Sequence, residues 1–339
     1  MNLLSVGKER AMKHREYSSF KPLPKSMVFE LVKRATGLDP AKIERTARGY
    51  DNEVYFVKTR GGKAFVARVK MFGGVGFRQE AWAIERCREA GVPVPMVFLV
   101  DEISFGGRSM EVMVQSKVPG KPLSEVQDNL SKEEFIRVWR RAGEILGRIH
   151  SVKVDGFWRR LDSGKWSLIG WEKYMHSMIR DRSSEKNYIL SAGFSREDFS
   201  FMLDMLRRYR DEFPCDQPVL CHGDFLPEHI FVNVEDGLEI TGVIDFGEFQ
   251  GAPNIHDFAV LSFECPTLDL SPLLEGYPYR DCLNEDFELR LNLHKLALLI
   301  GYLAHHMRIG NVKEAESNTR ALRETLKTLK EYTSPSFNV

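Results

Sequence analysis

Two aspartates stand in otherwise apolar company in one short stretch of the chain. The first is in Cys221-His222-Gly223-Asp224-Phe225-Leu226-Pro227-Glu228-His229-Ile230-Phe231-Val232-Asn233, and the second is just beyond, in Val243-Ile244-Asp245-Phe246-Gly247. Phosphoryl transfer needs one carboxylate beside the acceptor hydroxyl, to orient it and take its proton, and another on a Mg²⁺ that bridges the phosphates. Asp224 and Asp245 can divide those roles, because the apolar runs Pro218–Cys221, Ile230–Asn233 and Ile240–Ile244 read as short strands that would fix each carboxylate at a strand end. Two other readings of these residues stay open at this point. His222 and Asp224 can cap a turn, with Gly223 at φ > 0 and Asp245 opening an Asx turn. Alternatively, His222, Asp224, His229 and Asp245 can form a metallohydrolase centre, although the chain has no HExxH helix.

A second group of residues lies earlier in the chain. Gly49-Tyr50-Asp51-Asn52 falls where two strands meet, and Gly49 would let the backbone bend over a phosphate chain with Asn52 beside it. The strand Phe65-Val66-Ala67-Arg68 carries one cation and Lys70 a second, two residues on and so on the same strand face; either can meet phosphates. Glu80, on the helix that follows, is placed to hold that cation in reach. The segment Gln115-Ser116-Lys117 closes this part of the chain and offers backbone groups to a purine.

The elements that must position these residues follow from periodicity. Lys42–Arg48, Glu53–Thr59 and Ala64–Lys70 read as strands, Phe77–Ala90 as a helix, and Val97–Ile103 and Met110–Gln115 as two more strands. A short helix near Met27–Thr36 precedes them. The run Lys117-Val118-Pro119-Gly120-Lys121-Pro122 breaks the pattern and marks a boundary, giving residues 1–116 as one lobe and 117–339 as another. Helical periodicity dominates the second lobe, over Phe135–His150, Arg196–Glu212, Phe287–Met307 and Val312–Glu331.

The 339 residues carry 48 Lys+Arg against 48 Asp+Glu, a formal net charge of zero, which argues against a surface built to grip nucleic acid or an anionic membrane. Five scattered cysteines without a CxxC pair fit a reducing compartment, and charges at Lys8, Glu9 and Arg10 stand where a signal peptide would be apolar. The expectation is a cytoplasmic protein, monomer or homodimer. Charge is unevenly spread: residues 1–48 hold eleven Lys/Arg and five acids, while residues 264–288 hold seven acids and one arginine. The acidic stretch would suit a cationic acceptor; equally, it can be a solvated loop leading into a helix N-terminus.

In combination these motifs resemble the aminoglycoside phosphotransferase family of small-molecule kinases, over roughly residues 40–265. The resemblance is carried by His222-Gly223-Asp224, the five-residue step to His229, Ile244-Asp245-Phe246 and Asp257-Phe258-Ala259, supported by Gln79-Glu80-Ala81 and Leu146-Gly147-Arg148-Ile149-His150. It implies an α+β, bilobal protein-kinase-like fold: a small antiparallel sheet with one main helix, then a larger, mostly helical lobe. It implies ATP or GTP and Mg²⁺ as cofactors, with a small-molecule hydroxyl acceptor such as an aminoglycoside, a macrolide, choline or homoserine. By the resemblance Asp224 is the catalytic base, Asp245 and His229 hold the metal, and Arg68 or Lys70 steadies the phosphates. Most of the family has asparagine at the position of His229, and macrolide kinases are similar to this chain in having histidine. The family's Gly-Asp-Pro appears here as Ala252-Pro253-Asn254, which makes Asp257 an anchor of the structure.

Overall fold

The computed structural model describes residues 22–46, 52–71, 75–235 and 237–333. Strands β1 (Pro40–Arg45), β2 (Asn52–Thr59), β3 (Ala64–Lys70), β4 (Val97–Phe105) and β5 (Arg108–Ser116) form an antiparallel sheet in the order β1-β2-β3-β5-β4. Alternation along the strands divides the two faces. Tyr55, Val57, Phe65, Ala67 and Val69 pack beneath helix α1 (Lys25–Thr36), which buries Val28, Leu31 and Val32. Each such burial is worth roughly 1.5–3 kcal/mol, enough to fasten a twelve-residue helix to the sheet. The opposite face presents Val54, Phe56, Val66 and Arg68. Because β3 is central and covered on both sides, its five middle residues are all buried, and a plain polar/apolar alternation is absent there.

Helix α2 (Phe77–Glu89) starts without a capping side chain of its own. Glu111 on β5 accepts a hydrogen bond from the Phe77 N–H at 3.0 Å instead, which ties the helix start to the sheet and satisfies a first-turn donor.

The helical part begins with β6 (Lys121–Pro122) and α3 (Lys132–His150). A capping box between Ser131 and Glu134 starts α3 three residues before the expected Phe135. Next come β7 (Phe157–Arg160), β8 (Trp166–Leu168), α4 (Trp171–Ser184), α5 (Lys186–Ser191) and α6 (Arg196–Glu212). The chain continues through β9 (Val219–Cys221), β10 (Ile230–Asn233), β11 (Glu239–Val243), β12 (Gln250–Ala252) and α7 (Ile255–Glu264). It ends with α8 (Ser271–Gly276), α9 (Phe287–Ile309) and α10 (Val312–Tyr332). Two small sheets, β11-β10-β6 and β8-β7-β12-β9, sit among these helices and carry the loops of the site. All five cysteines are free thiols. Among the described residues no helix is long and apolar enough to cross a membrane.

Candidate active site

The loop from β9 to β10 is shaped by a buried carboxylate. Asp257, in the first turn of α7, accepts hydrogen bonds from the His222 N–H at 2.9 Å and the Gly223 N–H at 2.7 Å. Its Oδ2 also meets His150 Nε2 at 2.9 Å, and His150 Nδ1 meets the Tyr277 hydroxyl at 2.7 Å. A carboxylate only accepts, so Nε2 carries the proton and the tyrosine donates to Nδ1. Burial alone would raise the Asp257 pKa, but the His150 hydrogen bond and the surrounding imidazoles hold it down at about 2. Asp257 therefore anchors the loop and does not line the cavity. Gly223 has φ +81°, and a Cβ there would lie 2.2 Å from the Glu248 carbonyl oxygen, so glycine is required twice over.

His222 couples the two aspartate segments. Its Nε2–H donates to the Ile244 carbonyl at 3.1 Å, and its Nδ1 accepts from the Asp224 N–H at 3.2 Å. Burial lowers its pKa to about 4, so the ring is a neutral spacer. The Ile244 N–H donates to the His229 carbonyl at 3.0 Å and makes a second tie. Asp245 follows directly, in the left-handed region at φ +64°.

The charges converge from three elements. Arg68 on β3 pairs with Glu80 on α2 and, through Nη2, with Asp245 Oδ1 at 3.2 Å. Lys70 instead donates to the Val75 carbonyl and lies 5.5 Å from the centre of the Phe77 ring. Burial raises the Asp224 pKa to about 7, helped by the like charges of Asp245, Glu248 and Glu228 and opposed by His229. For Asp245 burial acts in the same direction, but Arg68, His229 and His222 outweigh it and the pKa is lowered.

His229 faces both carboxylates. Its Nδ1 is 2.9 Å from the Asp224 carbonyl oxygen, an acceptor, so Nδ1 carries a proton, and in the neutral ring the lone pair is on Nε2. That Nε2 is 3.8 Å from Asp245 Oδ2. One imidazole nitrogen and one carboxylate oxygen at this separation are a donor pair that fits a divalent cation.

A cavity of about 440 Å³ joins these groups. Asn52, Arg68, Lys70, Glu80, Gln115, Ser116, Lys117, Asp224, His229 and Asp245 all line it. Gly49, expected over the phosphates, lies outside the described residues. The sequence reading missed Glu248, held by an ion pair with Arg159, and the apolar walls Val54, Phe56, Val66, Val118, Phe231 and Ile244. Glu248 carries no local signal; it reaches the cavity through the turn after Asp245.

None of the seven carboxylates of residues 264–288 lines the cavity. Glu275 pairs with Arg140 at 2.5 Å, and Asp269 accepts from the Ser271 N–H at 2.9 Å. The described part of the basic stretch lies on α1 and β1, where Lys33 meets Asp39 at 3.1 Å and Arg45 meets Glu53 at 2.6 Å. The local charge at Asp224 is set by His229 against Asp245, Glu248 and Glu228.

The sequence profile described as the phosphotransferase enzyme family matches residues 42–290. A curated relative, the KEOPS complex subunit Bud32 of Pyrococcus abyssi, is 32% identical over 76 residues; the match spans 22% of this chain and 32% of that protein. Among solved structures, a thermostable mutant of aminoglycoside phosphotransferase APH(4)-Ia has a TM-score of 0.68 at 18% identity, covering 88% of this chain and 98% of that one. A putative fructosamine-3-kinase from Thermobifida fusca has a TM-score of 0.59 at 18% identity, covering 86% and 98%. The macrolide 2'-phosphotransferase MphH of Brachybacterium faecium has a TM-score of 0.54 at 17% identity, covering 88% and 98%. At these identities the likeness is one of fold.

Proposed function

The chain belongs to the phosphotransferase enzyme family, and from that premise we propose that it is a nucleoside-triphosphate- and Mg²⁺-dependent kinase of a small-molecule hydroxyl, with aminoglycoside-like antibiotics as the favoured acceptor class. The observation that carries this reading is the pair Asp224 and Asp245, held in the loops after β9 and β11 by His222 and facing one cavity with the Arg68–Glu80 pair. In this reading Asp224 orients the acceptor hydroxyl and takes its proton, a task suited to a base with a pKa of about 7. Arg68 holds the phosphates, and Glu80 keeps it in place. Asp245 and His229 hold Mg²⁺, which when bound supplies positive charge to the phosphate oxygens. The apolar walls take the purine of ATP or GTP. Residues 1–116 serve as the nucleotide lobe and 117–339 as the catalytic and acceptor lobe, in a cytoplasmic enzyme.

Two observations support the acceptor class. Glu228 and Glu248 add negative charge beside Asp224, which favours a cationic acceptor. The related APH(4)-Ia mutant has been crystallised with ADP and hygromycin B. The test is nucleotide release with ATP or GTP, Mg²⁺ and a panel of aminoglycosides, macrolides, choline and homoserine. Turnover with at least one acceptor, abolished by Asp245→Ala, is expected. Nucleotide binding by calorimetry with no turnover on any acceptor would instead make the chain a nucleotide-binding module, and no binding at all removes the kinase reading.

A further inference from the structure

Gln115 lies near the end of β5, opposite Val66 on β3, which in turn lies opposite Phe56 on β2. Cross-strand partners point to the same side of a sheet, so the Gln115 side chain shares the cavity face with two residues of its apolar wall. It is 5% exposed, and its Oε1 has no hydrogen-bond partner among the described residues. A buried amide oxygen left unpaired is costly, and a ligand in the cavity that donates to it would offset that cost. The adjoining backbone donors are already engaged: the Ser116 N–H donates to the Met96 carbonyl at 2.8 Å and the Lys117 N–H to the Ala64 carbonyl at 3.1 Å.

We propose that the Gln115 side-chain amide reads the 6-position of the purine and, by turning about its last bond, accepts both adenine and guanine nucleotides. In one orientation Oε1 accepts from the 6-amino group of adenine; in the other Nε2–H donates to the 6-oxo group of guanine. A glutamine differs here from a leucine or an aspartate, which would offer the base edge nothing or one polarity alone. The proposal rests on the kinase reading, and deepens it by naming the residue that sets nucleotide choice.

Calorimetric binding of ATP, GTP and purine riboside 5′-triphosphate, which lacks the 6-substituent, to the full chain tests it. In the wild type, ATP and GTP bind within about fivefold of each other and each about tenfold tighter than the unsubstituted nucleotide, the size of one neutral hydrogen bond. In Gln115→Met, which keeps the volume, and in Gln115→Leu, the three bind within about threefold of one another, with circular dichroism confirming the fold. Wild-type affinity for the unsubstituted nucleotide equal to that for ATP would overturn the proposal, as would a hundredfold preference between ATP and GTP. So would a tenfold preference surviving in Gln115→Met. If the wild type binds no purine nucleotide at all, the kinase reading fails and this proposal with it; binding that ignores the 6-position leaves the kinase reading standing.

Discussion

Asp224→Asn should inactivate the enzyme and stabilise its fold at the same time. Burial raises the Asp224 pKa from 3.8 to about 7, so the folded protein holds that proton more tightly than the unfolded chain does. A raised carboxylate pKa is neutral in effect below about pH 4 and costs stability progressively as pH rises through the folded value. Three units at about 1.4 kcal/mol each set a ceiling of about 4 kcal/mol at pH 8. The side chain keeps 31% of its surface open, so about half of that, ~2 kcal/mol, is the working figure. For a chain of 339 residues this is an increase in Tm of about 3 °C. Scanning calorimetry in EDTA at pH 8 and pH 5.5 checks it, with the gain at pH 5.5 about half that at pH 8. Turnover should fall about 10³-fold, as for loss of a general base. An Asn variant no more stable than the wild type at pH 8, or equally stabilised at both pH values, would refute the claim that Asp224 is a desolvated carboxylate.

Arg68→Met leaves Glu80, only 1% exposed, without its cation; a loss of about 3–5 kcal/mol in urea unfolding is expected, while Arg68→Lys keeps the charge and mainly raises the KM for nucleotide, about tenfold. Asp257→Asn forfeits the charge that His222, Gly223 and His150 converge on and should cost about 3 kcal/mol at pH 7. Because the Asp257 pKa is depressed to about 2, the penalty is present above about pH 4 and vanishes as pH falls toward 2, which a pH series of urea melts reads directly.

Legibility in the sequence followed locality. Helix α6 and strands β3 and β10 have the expected ends, since each is a regular periodic run bounded by turn residues. The early start of α3 was written in Ser131-x-x-Glu134, a local cap outweighed by the search for apolar spacing. Helices α4 and α5 passed unread because Trp171–Ser184 mixes aromatic and charged residues without a clean stripe, and its Trp171 and Tyr174 bury by stacking with Phe157 and Tyr209. Strand β9 falls within the expected run Pro218–Cys221, whereas the three-residue β12 passed unread because it exists only through its pairing with the distant β7 and β9. At the site, the two aspartates and Arg68–Glu80 were legible because each sits in a contiguous motif. Arg68 and Lys70 share a strand face, so no local rule separates them; they differ in a distant contact, with Asp245, 177 positions away, reaching Arg68. Gln115 was marked for its backbone, whereas its side chain faces the cavity by virtue of register, a property of paired strands.

Two carboxylates of one loop system, one buried and one partly open, thus move in opposite directions. Asp257 receives two N–H groups and an imidazole and sinks to about 2; the Asp224 carboxylate has His229 beside it but accepts no backbone N–H among the described residues, and rises to about 7. Separation of this kind supports the proposed division of tasks, with Asp257 as structure and Asp224 as the proton acceptor. Part of the Asp224 rise comes from Glu248, a group outside the motif from His222 to His229 and paired with Arg159. Glu248→Gln removes one like charge and keeps the side chain's shape. The acidic limb of kcat/KM, expected near pH 7, should then move toward acid by about half a unit, with maximal kcat/KM changed less than threefold. A limb that stays in place would mean that Glu248 does not reach Asp224 electrostatically, and a limb that moves toward base would reverse the sign of the argument.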